Sequence, residues 1–246
     1  HAPGSVRVVG GDGVLADLHT PFVRAAIRLF PDLEASVVES GDPAGETPGD
    51  EADDDDVPPV LPGVNLTSRQ SAAVWRHLAG TEDFWEGLDE IEPGAIARLA
   101  ALADERRWEI LFITSRPTSV GRTVQRQTQR WLQDRGFPLP SVYVVHGSRG
   151  RIADALAIDV VIDDRADNCL DVVLESRAGA LLVWRGALTS VPASTKRLGI
   201  AVVPTVARVL EALVEAERAA DGGDLLDRLR RLFGLKPRAS SPLVRS

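Results

Sequence analysis

Cysteine occurs once in the 246 residues, at Cys169, methionine not at all, tyrosine once, and lysine only at Lys196 and Lys236. A single cysteine excludes an intrachain disulfide and any zinc site built on a cysteine cluster. No apolar run approaches the ~20 residues that a membrane span needs, and the start lacks the basic-then-apolar form of a signal peptide. The expectation is a soluble, cytoplasmic protein with no membrane partner. A start at His1 without methionine reads as a fragment or a processed chain. With 44% of its residues apolar, the chain is long enough to bury one full core beside an accessory piece.

A basic excess is also missing. The net charge is -8, and nine of the 36 acids (Glu39, Asp42, Glu46, Asp50, Glu51, Asp53, Asp54, Asp55 and Asp56) fall in one stretch without a base, leaving 27 acids against 28 bases elsewhere. A near-neutral body with an acidic loop argues against nucleic acid as a partner, since that affinity needs a basic face. The acidic insertion, about residues 39–63, reads as a solvated loop, rich in Gly, Pro and Asp and poor in apolar anchors. Calcium binding by residues 53–56 would need the spaced ligands and turn glycine of an EF-hand, which are absent.

What is present is organised around residues 6–17, where the β-branched run Val6-Arg7-Val8-Val9 ends in Gly10-Gly11-Asp12-Gly13. Such a run is how a buried parallel strand delivers an acid to the carboxyl edge of a sheet. Residues 108–114, ending in Thr114-Ser115-Arg116, and residues 160–163, ending in Asp163-Asp164-Arg165, read as neighbouring strands. Ligands bind at that edge, so three strand ends would meet in one polar pocket. Between and after them the apolar spacing predicts helices over 21–30, from Ser68, from Pro93, over 119–135, 152–157, 168–176 and 206–219. It predicts further strands over 142–145, 180–184 and 199–203. Strands separated by helices give a doubly wound parallel α/β sheet. A last amphipathic helix follows Gly222-Gly223, its leucine stripe suited to packing against the core or a partner.

In their order and spacing, three stretches resemble the motifs of the haloacid dehalogenase (HAD) superfamily of phosphohydrolases, and within it the 5'-nucleotidase and deoxyribonucleotidase branch. Gly10-Gly11-Asp12-Gly13-Val14-Leu15-Ala16-Asp17 is similar to the first motif, Ile113-Thr114-Ser115-Arg116-Pro117 to the second, and Ile162-Asp163-Asp164-Arg165-Ala166-Asp167-Asn168 to the fourth. The resemblance covers roughly residues 5–215. It implies a HAD-like Rossmannoid core over 1–18 and 93–219, a small helical cap over 19–92 that carries the acidic insertion, and a separate C-terminal helix and tail over 220–246. It also implies a small phosphorylated substrate such as a nucleoside monophosphate, with magnesium as cofactor; homo-oligomerisation stays open.

Hydrolysis of a phosphate monoester needs charge neutralisation, a nucleophile and a proton donor for the leaving oxygen. By resemblance, Asp12 is the acid/base and a metal ligand, Thr114 and Ser115 bind phosphate, and Asp163 and Asp164 hold magnesium. The nucleophile position is Gly10, which cannot attack phosphorus and removes a metal ligand as well. A third motif with Lys-Gly in the family is matched by Arg149-Gly150; arginine still neutralises phosphate, though with a longer, planar fork. Trp75, Phe84 and Trp85 in the cap are candidates for a nucleobase pocket.

Each residue also has a plainer role. Asp12 suits a turn, Asp163 and Asp164 suit the start of the next helix, Arg149 a solvated helix start, and the three aromatics the core. His19 and His146 read as packing or surface residues. Two other functions fit parts of the pattern. One is an active phosphatase with a substitute nucleophile. The other is a dinucleotide-binding module, because Gly11-Asp12-Gly13-Val14-Leu15-Ala16 fits G-x-G-x-x-A after a strand, with Glu39 after a second strand at residues 36–38.

Overall fold

The computed structural model describes residues 7–10, 12–31, 65–219 and 224–235. The acidic insertion, the strand expected at 36–38, Glu39 and the final tail lie outside the described residues. Six strands form one parallel sheet: β1 (Arg7–Gly10), β4 (Glu109–Thr114), β5 (Ser141–Val144), β6 (Val160–Asp163), β7 (Gly179–Val183) and β8 (Ala201–Val203), in the order β5-β4-β1-β6-β7-β8. All five pairings are parallel. The central strands are near-continuous apolar runs because both faces are covered. Alternate residues serve two cores. Ile110, Phe112, Val160, Ile162, Leu181 and Val183 face one apolar cluster, and Ile113, Val161, Ala180 and Leu182 face the other.

Helices cover both faces, which makes the domain doubly wound. On the first lie α4 (Ala95–Arg106), α5 (Val124–Asp134), α9 (Val206–Arg218) and α10 (Leu225–Leu232), through Ile96, Leu99, Trp131, Leu132, Val209, Leu210, Leu213 and Leu229. On the second lie α6 (Arg149–Ala155) and α7 (Ala166–Glu175), through Ala153, Cys169 and Val172. A five-residue helix, α8 (Ala193–Arg197), leads into β8. The C-terminal helix thus packs on the core, and a Cβ added at Gly179 would run into Leu226. No helix among the described residues is long and apolar enough to cross a membrane.

The chain between β1 and α4 makes an excursion from the sheet. After β1 comes a single helical turn, α1 (Asp12–Leu15), and then an antiparallel ribbon of β2 (Ala16–Asp17) with β3 (Asp89–Glu90). Between the ribbon strands lie α2 (His19–Leu29), α3 (Ser68–Ala79) and a 3-10 turn, Phe84–Gly87. Helix α3 starts on a capping box between Thr67 and Gln70. Phe22 and Trp75, with ring centroids 5.3 Å apart, join α2 to α3. Two glutamates, one ending the return strand and one just beyond it, each answer a core helix. Glu90 accepts from the N–H groups of Gly94 and Ile96 at the start of α4 (2.7 and 3.0 Å). Glu92 accepts from those of Val206 and Ala207 at the start of α9 (2.7 and 3.0 Å).

Two helices begin three or more residues away from their predicted starts. Helix α5 starts at Val124 rather than Ser119, because residues 119–122 are held in other bonds. The Asp83 N–H donates to the Val120 carbonyl (2.9 Å), the Arg122 N–H to Asp83 Oδ1 (2.7 Å), and Gln127 Nε2 to Ser119 Oγ (3.0 Å). Gly121 turns at φ 99°, and Thr123 caps the helix that follows. Helix α6 begins three residues earlier than predicted, since Ser148 Oγ accepts from the N–H groups of Gly150 and Arg151 (3.1 and 3.4 Å).

Candidate functional site

Strand order reverses at β1, whose neighbours are β4 and β6. The crevice at the carboxyl ends of those strands is where open α/β sheets bind ligands. The register puts Gly10, the last residue of β1, level with Phe112 and Ile162. Thr114 then lies two residues further along β4 and Asp163 one residue further along β6. Asp12 opens the single turn α1 just beyond Gly10; its side chain lies outside the described residues. The three predicted strand ends therefore do meet at one edge. Both neighbours of β1, β4 and β6, come later in the chain than the cap region. The glycine-rich turn also opens a four-residue helix that passes into β2, not the long helix whose N-terminus would face a pyrophosphate.

At the second motif Thr114 is 2% exposed and Ser115 is open to solvent. Thr114 Oγ1 accepts from the Arg116 N–H (3.2 Å), so its hydroxyl is fixed by its own loop. Sequence reasoning passed over Arg116, which is buried, donates from Nη1 to Thr128 Oγ1 (3.0 Å), and lies over the rings of Trp85 (4.9 Å) and Trp131 (5.6 Å). The signal was its place in the second motif, directly after Thr114-Ser115.

Asp163 is 2% exposed. Its Oδ1 accepts from the Arg165 N–H (2.9 Å), and Asn168 Nδ2 donates to both carboxylate oxygens (3.0 Å each). Burial pushes its carboxyl pKa up, while those bonds and the charges of Arg149 and Arg165 act the other way. Asp163 thus also fulfils the helix-start role, although no side chain caps α7 at Arg165. Asp164 is half-buried, with its carboxylate directly over Gly13; a Cβ at residue 13 would collide with it. Here glycine is favoured by close approach, not by backbone angle: a larger residue would have to turn the Asp164 carboxylate aside.

The solvated helix start expected for Arg149 is corrected by its burial: the residue is 7% exposed. Its Nη1 has no hydrogen-bond partner among the described residues. Gly150 beside it lets α6 press onto α7, since a Cβ there would meet the Asp171 carbonyl oxygen. His19 and His146 are exposed.

Trp75, Phe84 and Trp85 are engaged in packing contacts. Trp75 is 5% exposed against Phe22, and Trp85 is 2% exposed. The Trp85 main-chain N–H donates to Gln127 Oε1 (3.0 Å) and its indole N–H to the Pro117 carbonyl (3.1 Å). Half-buried Phe84 meets it edge-on, centroids 4.9 Å apart. Trp85 thus fastens the 3-10 turn to the loop after β4 and to α5, with Phe84 packed on its ring.

Asp163 and Asp164 offer the hard oxygen donors that magnesium prefers. Among the described residues no group of three His, Cys, Asp or Glu side chains is placed to hold a metal.

No protein-family model matches the chain. No curated protein matches it. Among solved structures, 31 chains match. A protein assigned as a β-phosphoglucomutase from Thermotoga maritima is 16% identical, with a TM-score of 0.49, over 85% of this chain and 99% of that one. One assigned as a phosphoglycolate phosphatase from Lactobacillus delbrueckii subsp. bulgaricus is 12% identical, with a TM-score of 0.49, over 85% and 98%. A hydrolase from Pseudomonas syringae is 16% identical, with a TM-score of 0.45, over 88% and 100%. These are likenesses of chain path alone; the doubly wound α/β architecture itself is established by the strand order and pairing.

Proposed function

We propose that the chain is a HAD-type phosphohydrolase relative of the 5'-nucleotidase kind. It binds a small phosphate monoester, such as a nucleoside monophosphate, at the edge formed by β1, β4 and β6, and its hydrolytic step is lost or severely reduced because Gly10 stands at the nucleophile position. The observation that carries this is Arg149, a 7% exposed guanidinium whose Nη1 has no hydrogen-bond partner among the described residues. A buried charged donor left unanswered is costly, and a bound phosphate oxygen is a partner that would answer it. Thr114 and Ser115 supply hydroxyl donors from the neighbouring strand end. Asp12 is the acid/base of a reaction that has no nucleophile to begin it. Asp163 and Asp164 are the residues that would hold magnesium, which when bound would neutralise phosphate oxygens.

An active enzyme with a substitute nucleophile is the weaker reading. The chain's only cysteine, Cys169, is buried, and burial together with the Asp163 and Asp164 charges pushes its thiol pKa well up, which keeps it protonated and inert. The test is calorimetric titration of the full chain with nucleoside monophosphates and inorganic phosphate, beside Arg149→Leu. Saturable binding that weakens by about tenfold or more in the variant is expected from the loss of one charge-assisted contact. No binding at millimolar ligand, or binding indifferent to Arg149→Leu, would overturn the proposal.

A further inference from the structure

Arg185 lies two residues beyond the end of β7 and belongs to none of the four motifs. Its Nη1 donates to the Gly13 carbonyl (2.9 Å) and its Nη2 to the Val14 carbonyl (2.9 Å) and to Glu92 Oε1 (3.2 Å). Gly13 and Val14 are the middle of α1, the turn that follows Gly10 and carries Asp12. A helix of four residues cannot answer its own last carbonyls. Here they are answered from elsewhere, two by Arg185 and that of Leu15 by the Ile91 N–H (2.9 Å). Glu92 in turn is seated on the N–H groups of Val206 and Ala207, so a core helix fixes the carboxylate that fixes the guanidinium.

We infer that Arg185 is a positioning residue of the candidate site, holding the first-motif turn, and with it Asp12 and the strand end at Gly10, in register with Asp163 and Asp164. The inference rests on the proposed phosphohydrolase descent. The planar fork suits the task, because one guanidinium spans two successive carbonyls and an acid, which an ammonium cannot do. Asp164 sits over Gly13, so a turn released from Arg185 would also disturb that carboxylate's seat. The phosphate donors Thr114, at the end of β4, and Arg149, at the start of α6, are on other elements and would keep their places.

The test uses the full chain with Gly10→Asp as background and p-nitrophenyl phosphate as substrate. Adding Arg185→Ala is expected to lower kcat by about tenfold or more while KM and the inhibition constant of inorganic phosphate stay within about twofold, as befits misplaced chemistry with intact phosphate binding. Arg185→Lys, which keeps the contact with Glu92 but only one carbonyl, should fall between. Arg98→Ala, which breaks only the exposed pair with Glu211 (3.6 Å), should change neither constant. Hydrogen exchange of the unaltered Gly10 chain and its Arg185→Ala variant gives a readout independent of turnover. Amides of residues 15–18 and of Ile91 should exchange faster in the variant, and those of 113–116 should not. An unchanged kcat, or equal losses in kcat and phosphate affinity, would overturn the inference. If Gly10→Asp hydrolyses no phosphate ester, the proposed descent fails by itself; the exchange experiment then decides alone, and unaltered exchange at 15–18 refutes the role of Arg185.

Discussion

Gly10→Asp places a carboxylate at the end of β1, opposite Ile162 and one residue short of the level of Asp163. Two effects of opposite sign should follow. Loss of a nucleophile costs about 10⁴ to 10⁶ in turnover, and even with arginine in place of the third-motif lysine, its return should raise phosphatase activity by at least about a thousandfold. The same carboxylate crowds Asp163, which is buried and whose charged form is already disfavoured. Neighbouring strands are about 5 Å apart, so the two α-carbons lie roughly 6 Å from each other; unit charges at that separation, at an effective dielectric of about 20, repel by about 3 kcal/mol, which is the upper limit here. For a chain of this length that is a melting temperature lower by about 5 to 10 °C in EDTA, recovered on adding magnesium. The assays are hydrolysis of p-nitrophenyl phosphate and of nucleoside monophosphates with and without magnesium, and thermal melts of both forms in the same buffers. Gly10→Asp combined with Asp12→Asn is the control, and it should lose most of the gained turnover. Strong activity in the Gly10 form would point to another nucleophile. An inactive Gly10→Asp protein that melts at the same temperature in EDTA and magnesium would refute the assignment of this edge as a phosphatase site.

Three further outcomes follow from the geometry. Burial holds the folded pKa of Asp163 above its ordinary 3.8. The native state therefore binds the extra proton, and stability falls as pH rises from that value through the folded pKa. Asp163→Asn should remove this acid-range slope in melts between pH 4 and 7, and parallel slopes for the two proteins would contradict it. Gly150→Ala drives a methyl into the Asp171 carbonyl, whereas nothing lies within 4 Å of a Cβ at Gly87. Urea unfolding should show about 1–3 kcal/mol lost for the first and little for Gly87→Ala, and equal effects would mean that α6 and α7 can part freely. Trp85→Phe removes the buried donor to the Pro117 carbonyl and should cost about 1 kcal/mol in the same assay; a neutral result would show that the cap is not fastened there.

Strands were legible because a strand covered on both faces must be apolar throughout, as Val160-Val161-Ile162 and Ala180-Leu181-Leu182-Val183 are. The convergence of Gly10, Thr114 and Asp163 was legible for the same reason, since motif residues placed just after such runs can only emerge at one sheet edge. What could not be read depends on partners remote in sequence. The late start of α5 comes from Asp83 and Gln127 capturing residues 119–122, and nothing in the local spacing announces it. The burial of Arg149 follows from α6 pressing on α7 at Gly150. Arg185 meets Glu92 across 93 positions and Gly13 across 172, without a periodic trace in the sequence. Aromatic residues gave an ambiguous cue, because Trp75 and Trp85 would read the same in sequence as binding platforms or as fasteners.

The ribbon of Ala16–Asp17 and Asp89–Glu90 gives the chain an exchangeable socket. Its two strands stand side by side before the excursion begins, and the core side is secured separately by Glu90 on α4 and Glu92 on α9. Whatever is spliced between Asp17 and Asp89 thus departs from and returns to the same spot, so its length is nearly free: each doubling of a flexible insert adds only about 0.6 kcal/mol of closure entropy. What lies between Asp17 and Asp89 can be lengthened, shortened or replaced without re-registering any of the six strands of the sheet.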